Sequence, residues 1–242
     1  MSYELLDGGE HNPYHLFIYM LANFSTVNCK DDVYYYYPNK NNNTFCEETL
    51  SLLPPNFHRH LVKEEGRDYI PFRNVKPNFS DWALPSDYIF LRLLFQWHIS
   101  PTITPGLFIY VSRNNDAKHR RIINELQLLP ILQKYNFQVV HMSDLHVKEQ
   151  IHLFSKADFI VSPHGAALSF LMFCNPNVSV LEFMPKNKRA RHFYHIAWHF
   201  NYDYHRILCD TVDEVNHDMY VPEKELQDYL EFHPKTKKST LP

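Results

Sequence analysis

Asp158-Phe-Ile-Val-Ser-Pro-His-Gly-Ala-Ala-Leu168 is the stretch on which the fold turns. It opens with an apolar, β-prone run at 158–161, breaks at Ser162-Pro163-His164-Gly165, and resumes as an apolar segment over 167–173. A strand apolar on both sides is buried on both faces, as in a parallel sheet covered by helices. The pattern therefore predicts strand, tight turn and short helix. Gly165 is one of only five glycines in 242 residues. Glycine after a strand permits positive φ and lets backbone N–H groups approach a ligand. The helix that follows turns its free N–H groups and the positive end of its dipole toward an anion. The same residues also fit a plain strand-to-helix turn around a hydrogen-bonded histidine.

Outward from this stretch, the pattern repeats. Further strands are predicted over 107–111, 137–141, 178–183 and 204–208, and helices over 124–135, 192–200 and 223–232. Pro130 marks a kink or a start in the first of these helices. Ser143 or Asp144 is expected to cap another helix that runs to Ala157. Strands alternating with helices at this pace imply a parallel sheet with crossover helices. The tail over 235–242 is expected to be loose. The first hundred residues are less regular: a core helix over 14–24, a β-prone run over 32–37, a polar loop over 39–43, a second core helix over 87–97 and a linker over 100–105. The fold class read from this is α/β, with a smaller lobe over 1–103 and a Rossmann-like lobe over 104–242.

Composition sets limits. Hydrophobic residues make up 45 %, charged residues 21 % and aromatic residues 15 %, which is globular rather than disordered. The formal net charge of −3 gives no basic surface for nucleic acid. The four cysteines, Cys29, Cys46, Cys174 and Cys209, lack C-x-x-C spacing, so neither a zinc knuckle nor a redox pair is suggested. The first ten residues have no basic start and no apolar core, unlike a signal peptide, and no apolar run is long enough for a membrane span. A soluble, cytoplasmic protein is expected.

Ligands in open α/β sheets sit beyond the carboxyl ends of the strands. Two such ends carry chemistry. One is the His164-Gly165-Ala166-Ala167 turn. The other is Tyr110-Val-Ser-Arg113, followed closely by Arg120 and Arg121. Guanidinium groups bind phosphate bidentately and keep their charge. Arg113 at a strand end favours a ligand role, whereas Arg120 or Arg121 singly also suits a solvated surface. Glu182 ends the strand Val-Leu-Glu-Phe; a carboxylate among apolar residues implies hydrogen bonds from a ribose or a buried ion pair. Glu10, His11 and His15, just before the first apolar helix, are candidates for a general base beside an acceptor hydroxyl; a capping turn is the other reading.

Several patterns are missing: G-x-G-x-x-G, G-x-x-x-x-G-K-[ST], Asp-x-Asp, His-Glu-x-x-His and G-x-S-x-G. Dinucleotide binding, a P-loop, a metal-held diphosphate, zinc proteolysis and a nucleophile elbow are therefore disfavoured. His192, His195 and His199 share one helix face but sit among aromatics without a carboxylate, which favours packing over metal binding.

In order and spacing, these segments resemble glycosyltransferase family 61. The matching pieces are Tyr110-Val-Ser-Arg113, Arg120-Arg-Ile-Ile-Asn-Glu125, Phe137-Gln-Val-Val140, Glu149-Gln-Ile-His-Leu-Phe-Ser-Lys-Ala157, Asp158 to Leu168 as quoted above, Val180-Leu-Glu-Phe-Met-Pro185 and the aromatic segment over 193–204. The resemblance is good over 106–208 and weak before it. It implies a GT-B-like α/β fold of two Rossmann-like lobes, here with a reduced N-terminal lobe on the acceptor side. It further implies an inverting, metal-independent enzyme, a hexosyl- or pentosyltransferase with no cofactor. A sugar would pass from a nucleoside-diphosphate donor to a hydroxyl of a glycan or protein. Arg113, with Arg120 and Arg121 nearby, and the His164-Gly165-Ala166-Ala167 turn would then hold the diphosphate, and Asn124 and Glu182 would fix the nucleotide or shape its pocket. Asn12 and His15 match the family's helix-start segment in the N-terminal lobe. Family members commonly carry Asp or Glu within one turn of that histidine, where this chain has Leu16, Phe17, Ile18 and Tyr19. A catalytically inactive nucleotide-sugar-binding or scaffold protein of the same fold is the second expectation.

Overall fold

A computed structural model describes residues 2–4, 12–26, 34–36, 44–58, 61–62, 70–71, 83–114 and 117–237. The chain forms two compact units. One comprises Met1–Ile99 with His146–Ile151, and the other Ser100–Leu145 with His152–Pro242.

In the first unit, four short strands, β1 (Ser2–Glu4), β2 (Tyr34–Tyr36), β3 (Leu61–Val62) and β4 (Ile70–Pro71), pair in parallel in the order β3-β2-β1-β4. Only β2 was foreshadowed by the β-prone run. Pro71 lies on an edge strand, where a missing N–H costs no ladder bond. The helix expected over 14–24 is wound in two ways: a π-helix over His15–Met20, then a 3₁₀-helix over Leu21–Thr26. Leu16, Phe17, Met20 and Leu21 are buried there. Two helices follow, α1 (Thr44–Ser51) and α2 (Pro55–His58). The second predicted core helix is α3 (Pro85–Leu94), extended by a 3₁₀ turn over Gln96–His98. Pro85 suits its first position, and Asp87 accepts the Leu84 N–H at 2.9 Å. Phe17 meets Phe95 edge to face at 5.6 Å between centroids. The polar loop expected over 39–43 lies outside the described residues.

The second unit is built on β5 (Phe108–Ser112), β6 (Phe137–His141), β7 (Phe159–Pro163), β8 (Ser179–Pro185), β9 (Asp203–Thr211) and β10 (Met219–Tyr220). Their order is β10-β9-β8-β7-β5-β6. All pairs are parallel except β10 against β9, so the predicted α/β sheet is present with an antiparallel edge in addition. Helices α4 (Glu125–Lys134), α5 (Val147–Lys156), α6 (His192–His199), α7 (Glu223–Phe232) and α8 (Pro234–Lys237) connect and follow the strands, with a 3₁₀-helix over Ala166–Phe173 after β7. α5 starts in the first unit and ends in the second.

Side chains alternate between the faces, as a pleated strand requires. Phe108 and Tyr110 of β5, Phe159 and Val161 of β7, Leu181 and Phe183 of β8, and Ile207 and Cys209 of β9 join one core with Leu128 and Leu132 of α4 and Leu226 and Leu230 of α7. On the other side, Phe154 of α5 packs against Phe170. Burial on both faces explains why β5, β7 and β8 are buried at every position.

Three local expectations are corrected. Ser143 and Asp144 do not cap α5; they form a separate 3₁₀ turn over Met142–Asp144. The free N–H groups at the start of α5 go instead to carboxylates, His146 to Glu149 and Val147 to Glu48, each at 2.9 Å. Of the two readings of Pro130, the start is excluded and the kink is left, since Pro130 lies inside α4. The tail is not loose at its beginning: α8 is ordered, and Lys235 pairs with Asp158 at 2.7 Å. Cys46, Cys174 and Cys209 are buried, as small hydrophobes; Cys29 lies outside the described residues.

Candidate functional site

The strand order sets the place. The chain leaves β5 for β6 on one side and returns to β7 on the other. The direction of winding reverses between β5 and β7, and a doubly wound sheet opens a crevice at the carboxyl ends of such a pair. β5 ends at Ser112, with Arg113 next, and β7 ends at Pro163, with His164 and Gly165 next. The two chemically loaded strand ends read from the sequence are the two ends that flank this switch point.

Arg113 and Gly165 meet there. A Cβ on Gly165 would lie 1.8 Å from Arg113 Nη1 and 2.6 Å from its Cζ. Any side chain at 165 would displace the guanidinium, which occupies the space its Cβ would take. The expected reason, a positive φ, does not apply: φ is 179°, extended backbone open to any residue. Beyond Gly165 the 3₁₀-helix begins at Ala166, and its first N–H groups have no carbonyl one turn back within the helix.

The loop after β5 is fastened from within. Asn114 Nδ2 donates to the Ile122 carbonyl at 2.9 Å, and the Ile122 N–H donates to Asn114 Oδ1 at 3.0 Å. The hydroxyls of Tyr110 and Ser112 both donate to Glu125 Oε1 at 2.7 Å. Arg113 Nη2 donates to the His119 carbonyl at 3.3 Å. Within this loop Arg120 is left-handed, with φ 60°, and its N–H is held by the Asn216 carbonyl at 2.9 Å. A non-glycine residue in that region costs on the order of 1–3 kcal/mol, so the surrounding contacts impose it.

That backbone separates two adjacent arginines. Arg121 turns to Asp218: Nε and Nη2 donate to Oδ2 at 3.1 and 2.9 Å, and the backbone N–H donates to Oδ1 at 2.9 Å. Arg120 goes the other way. Its charge acts on His164 and Glu182, and its Nε is buried without a hydrogen-bond partner among the described residues. Asn124 is also engaged structurally, zipping to Val221 through Nδ2 at 2.8 Å and Oδ1 at 3.0 Å. Arg121 and Asn124, both expected at a ligand, are committed to joining this loop to β10 and the chain around it.

Glu182 is fully buried. Oε1 accepts from His164 Nδ1 at 2.7 Å; Oε2 accepts from Arg206 Nε at 2.6 Å and from the Tyr204 hydroxyl. The register explains the grouping, since Ser162, Glu182 and Arg206 are direct neighbours across β7, β8 and β9. Of the two readings of Glu182, the structure shows the buried ion pair, with a protein donor on each oxygen. Burial works to raise the Glu182 pKa, but His164, Arg206 and Tyr204 outweigh it and hold the carboxyl below its usual range. Burial pushes His164 down; Glu182 pulls it up and the Arg120 and Lys188 charges push it down again, leaving it below its ordinary value. His164 is thus a neutral imidazole whose Nδ1–H is fixed on Glu182, and Phe193 of α6 holds the ring at 5.0 Å.

Lys188, Tyr204 and Arg206 were missed in the sequence. Lys188 lies just past the carboxyl end of β8, in the basic run Lys186-Asn-Lys-Arg-Ala-Arg191; the strand-end rule applied to β8 would have found it. Tyr204 and Arg206 depend on β8–β9 register, which no local pattern encodes. His15 lies on the π-helix of the first unit, 4.9 Å from the Tyr19 ring. Glu10 and His11 lie outside the described residues. On α6, the rings of His192, His195 and His199 lie against Phe193, Tyr194 and Phe200 respectively. No described helix is long and apolar enough to cross a membrane.

No curated protein matches the chain. A family model does: Glycosyltransferase 61, over residues 14–181. The match starts inside the first unit, further forward than the resemblance over 106–208, takes in β5, Arg113 and the β7 turn, and ends within β8, just before Glu182. Covering well over half of the sequence, it establishes that the chain belongs to glycosyltransferase family 61.

Proposed function

We propose that this chain is an inverting, metal-independent hexosyl- or pentosyltransferase of GT-B-like, two-lobed build. A sugar passes from a nucleoside-diphosphate donor to a hydroxyl of a glycan or protein. The observation that carries the reading is the Arg113 guanidinium lying on Gly165 at the sheet's switch point. A permanently charged fork lies on the turn that opens the 3₁₀-helix; the fork and the N–H groups of that turn both favour phosphate oxygens.

The chemistry follows from charge. As the sugar leaves, negative charge grows on the diphosphate, and preorganised donors stabilise that growth without reorganising. Arg113 and Arg120, with the Ala166 and Ala167 N–H groups, serve this role. Glu182 acts through His164 by holding its ring and tautomer. Inversion needs one general base at the acceptor hydroxyl, drawn from Glu10, His11 and His15.

The test is calorimetric titration of nucleoside diphosphates with chelator present, on the wild type and on Arg113→Ala. Binding that survives chelation and weakens at least tenfold in the variant supports the reading. Absence of binding by any nucleoside diphosphate removes it.

A further inference from the structure

Arg113 leaves β5 at the start of a loop that returns to the chain at α4, and the two ends of that loop are tied together. One tie is Asn114, whose side-chain amide exchanges hydrogen bonds with the backbone of Ile122 at 2.9 and 3.0 Å. The other is Glu125, the first residue of α4. Its Oε1 accepts from the Tyr110 hydroxyl and from the Ser112 hydroxyl, each at 2.7 Å. Ser112 carries the hold one step further, because its Oγ accepts from the Asn114 N–H at 3.4 Å. Both chain neighbours of Arg113 are therefore fixed through Glu125.

The chemistry of a carboxylate suits this place. Tyr110 and Ser112 are buried, so each hydroxyl needs an acceptor inside the protein, and one oxygen of Glu125 serves both. Hydrogen bonds to an ionised acceptor are shorter and stronger than neutral ones. The first turn of a helix also favours negative charge, since its free N–H groups and the helix dipole place partial positive charge there. Glu125 thus clamps α4 to β5 at the strand end from which the guanidinium emerges. Arg113 carries that guanidinium at the tip of a long side chain, so a small turn of its backbone moves it off Gly165. A misplacement of about 1 Å costs an active site about a hundredfold in rate.

We infer that Glu125 is a positioning residue: through Ser112 and Tyr110 it sets the backbone from which Arg113 reaches Gly165. This rests on the donor reading above and deepens it by naming what aims the guanidinium at the β7 turn. Glu125 acts through Arg113 and not on the ligand.

The experiment compares wild type, Glu125→Ala, Glu125→Gln, Arg113→Ala and the double variant of Glu125→Ala with Arg113→Ala. Uridine, guanosine, cytidine and adenosine 5′-diphosphates are titrated by calorimetry, at a temperature where melting curves show every variant folded. Amide hydrogen exchange is followed at Asn114, Ala117 and Ile122, each hydrogen-bonded within the loop. A lost charge-assisted contact corresponds to about a ten- to hundredfold change in Kd. Glu125→Ala is expected to weaken the best diphosphate about tenfold, and by less than about twofold where Arg113 is already alanine. Glu125→Gln keeps an acceptor oxygen for both hydroxyls and is expected to recover most of the loss. Exchange of the three loop amides is expected to rise about tenfold in Glu125→Ala, with that of β6 unchanged. Wild-type affinity in Glu125→Ala, or an equal loss in both Arg113 backgrounds, overturns the inference and leaves the donor reading standing. If the wild type binds no diphosphate, the donor reading falls and the exchange decides whether Glu125 sets the loop. Unchanged exchange overturns the inference whether or not a diphosphate binds.

Discussion

Gly165→Ala separates the site from the fold. The added methyl would sit 1.8 Å from Arg113 Nη1, 2.6 Å from Cζ and 3.2 Å from Nε. Carbon and nitrogen rest at about 3.5 Å, so the guanidinium must retreat by roughly 1.5–2 Å. The backbone raises no objection, because φ is 179°. The displaced atoms are the tip of a flexible side chain, so the fold loses little. Alanine in a compatible conformation also restricts the unfolded chain, an effect of about 0.4–1 kcal/mol in favour of the variant. The melting temperature is therefore expected to hold or rise slightly. The ligand contact fares differently: charge-assisted hydrogen bonds contribute about 1.5–3 kcal/mol, a factor of about ten to a hundred in Kd. Calorimetry with a nucleoside diphosphate on Gly165→Ala, Arg113→Ala and the double variant makes the case decidable. Since both single changes remove the same contact, the double variant should bind no worse than Arg113→Ala. Wild-type affinity in Gly165→Ala, or losses that simply add, would refute the argument that glycine stands at 165 to seat the guanidinium.

Further outcomes follow from the same geometry. Glu182→Ala leaves Arg206 and His164 buried without their acceptor and should lower unfolding free energy by about 3–5 kcal/mol, read by urea denaturation; a loss under about 1 kcal/mol would show the network to be slack. His164 has a folded pKa below its unfolded one, so the unfolded state binds more protons as pH falls. Its stability contribution is complete above about pH 6.5 and is lost on acidification, with the depressed Glu182 losing its own share at lower pH. The difference in melting temperature between wild type and His164→Gln should shrink below about pH 6.5; a constant difference down to pH 5 contradicts a neutral His164. Asp218→Ala exposes the Arg121 N–H and side chain together and should destabilise by about 1–3 kcal/mol, while the half-exposed Arg121→Ala loses under about 1 kcal/mol; neither should alter diphosphate affinity beyond about twofold. Glu10, His11 and His15 replaced singly by alanine should leave that affinity intact, with the residue that serves as base lowering turnover by about 10²–10⁴. Unchanged turnover in all three variants would remove the base from this segment.

The second unit was legible because its central strands, β5, β7 and β8, are buried on both faces. Such strands appear as unbroken apolar runs, and β6 and α7 fall where the pattern placed them. The strands β1, β3 and β4 span only two or three residues, too short for any periodicity to register. β10 escaped for the same reason. Arg113 and the β7 turn, which the structure brings together, stood out because strand ends are local features of sequence. That Arg121 is committed to Asp218 and Arg120 is not was not local: it depends on a left-handed residue imposed by the chain around Asn216 and Asp218, about a hundred positions away. Glu182 was visible as an anomaly, a carboxylate in an apolar strand, but its partners come from the strand after it.

Those partners tie function to register. Glu182 shares its face of the sheet with Tyr204 and Arg206, while Leu181 and Phe183 on the other face join the core beneath α4 and α7. A slip of one residue in β8 would reverse both assignments. It would drive a carboxylate into an aromatic core and set Leu181 or Phe183 opposite Arg206. The apolar alternation that holds β8 in place is thus the same constraint that brings Glu182 beneath His164. The contacts that fix His164 and the packing that fixes β8 are therefore one constraint, met on opposite faces of the same strand.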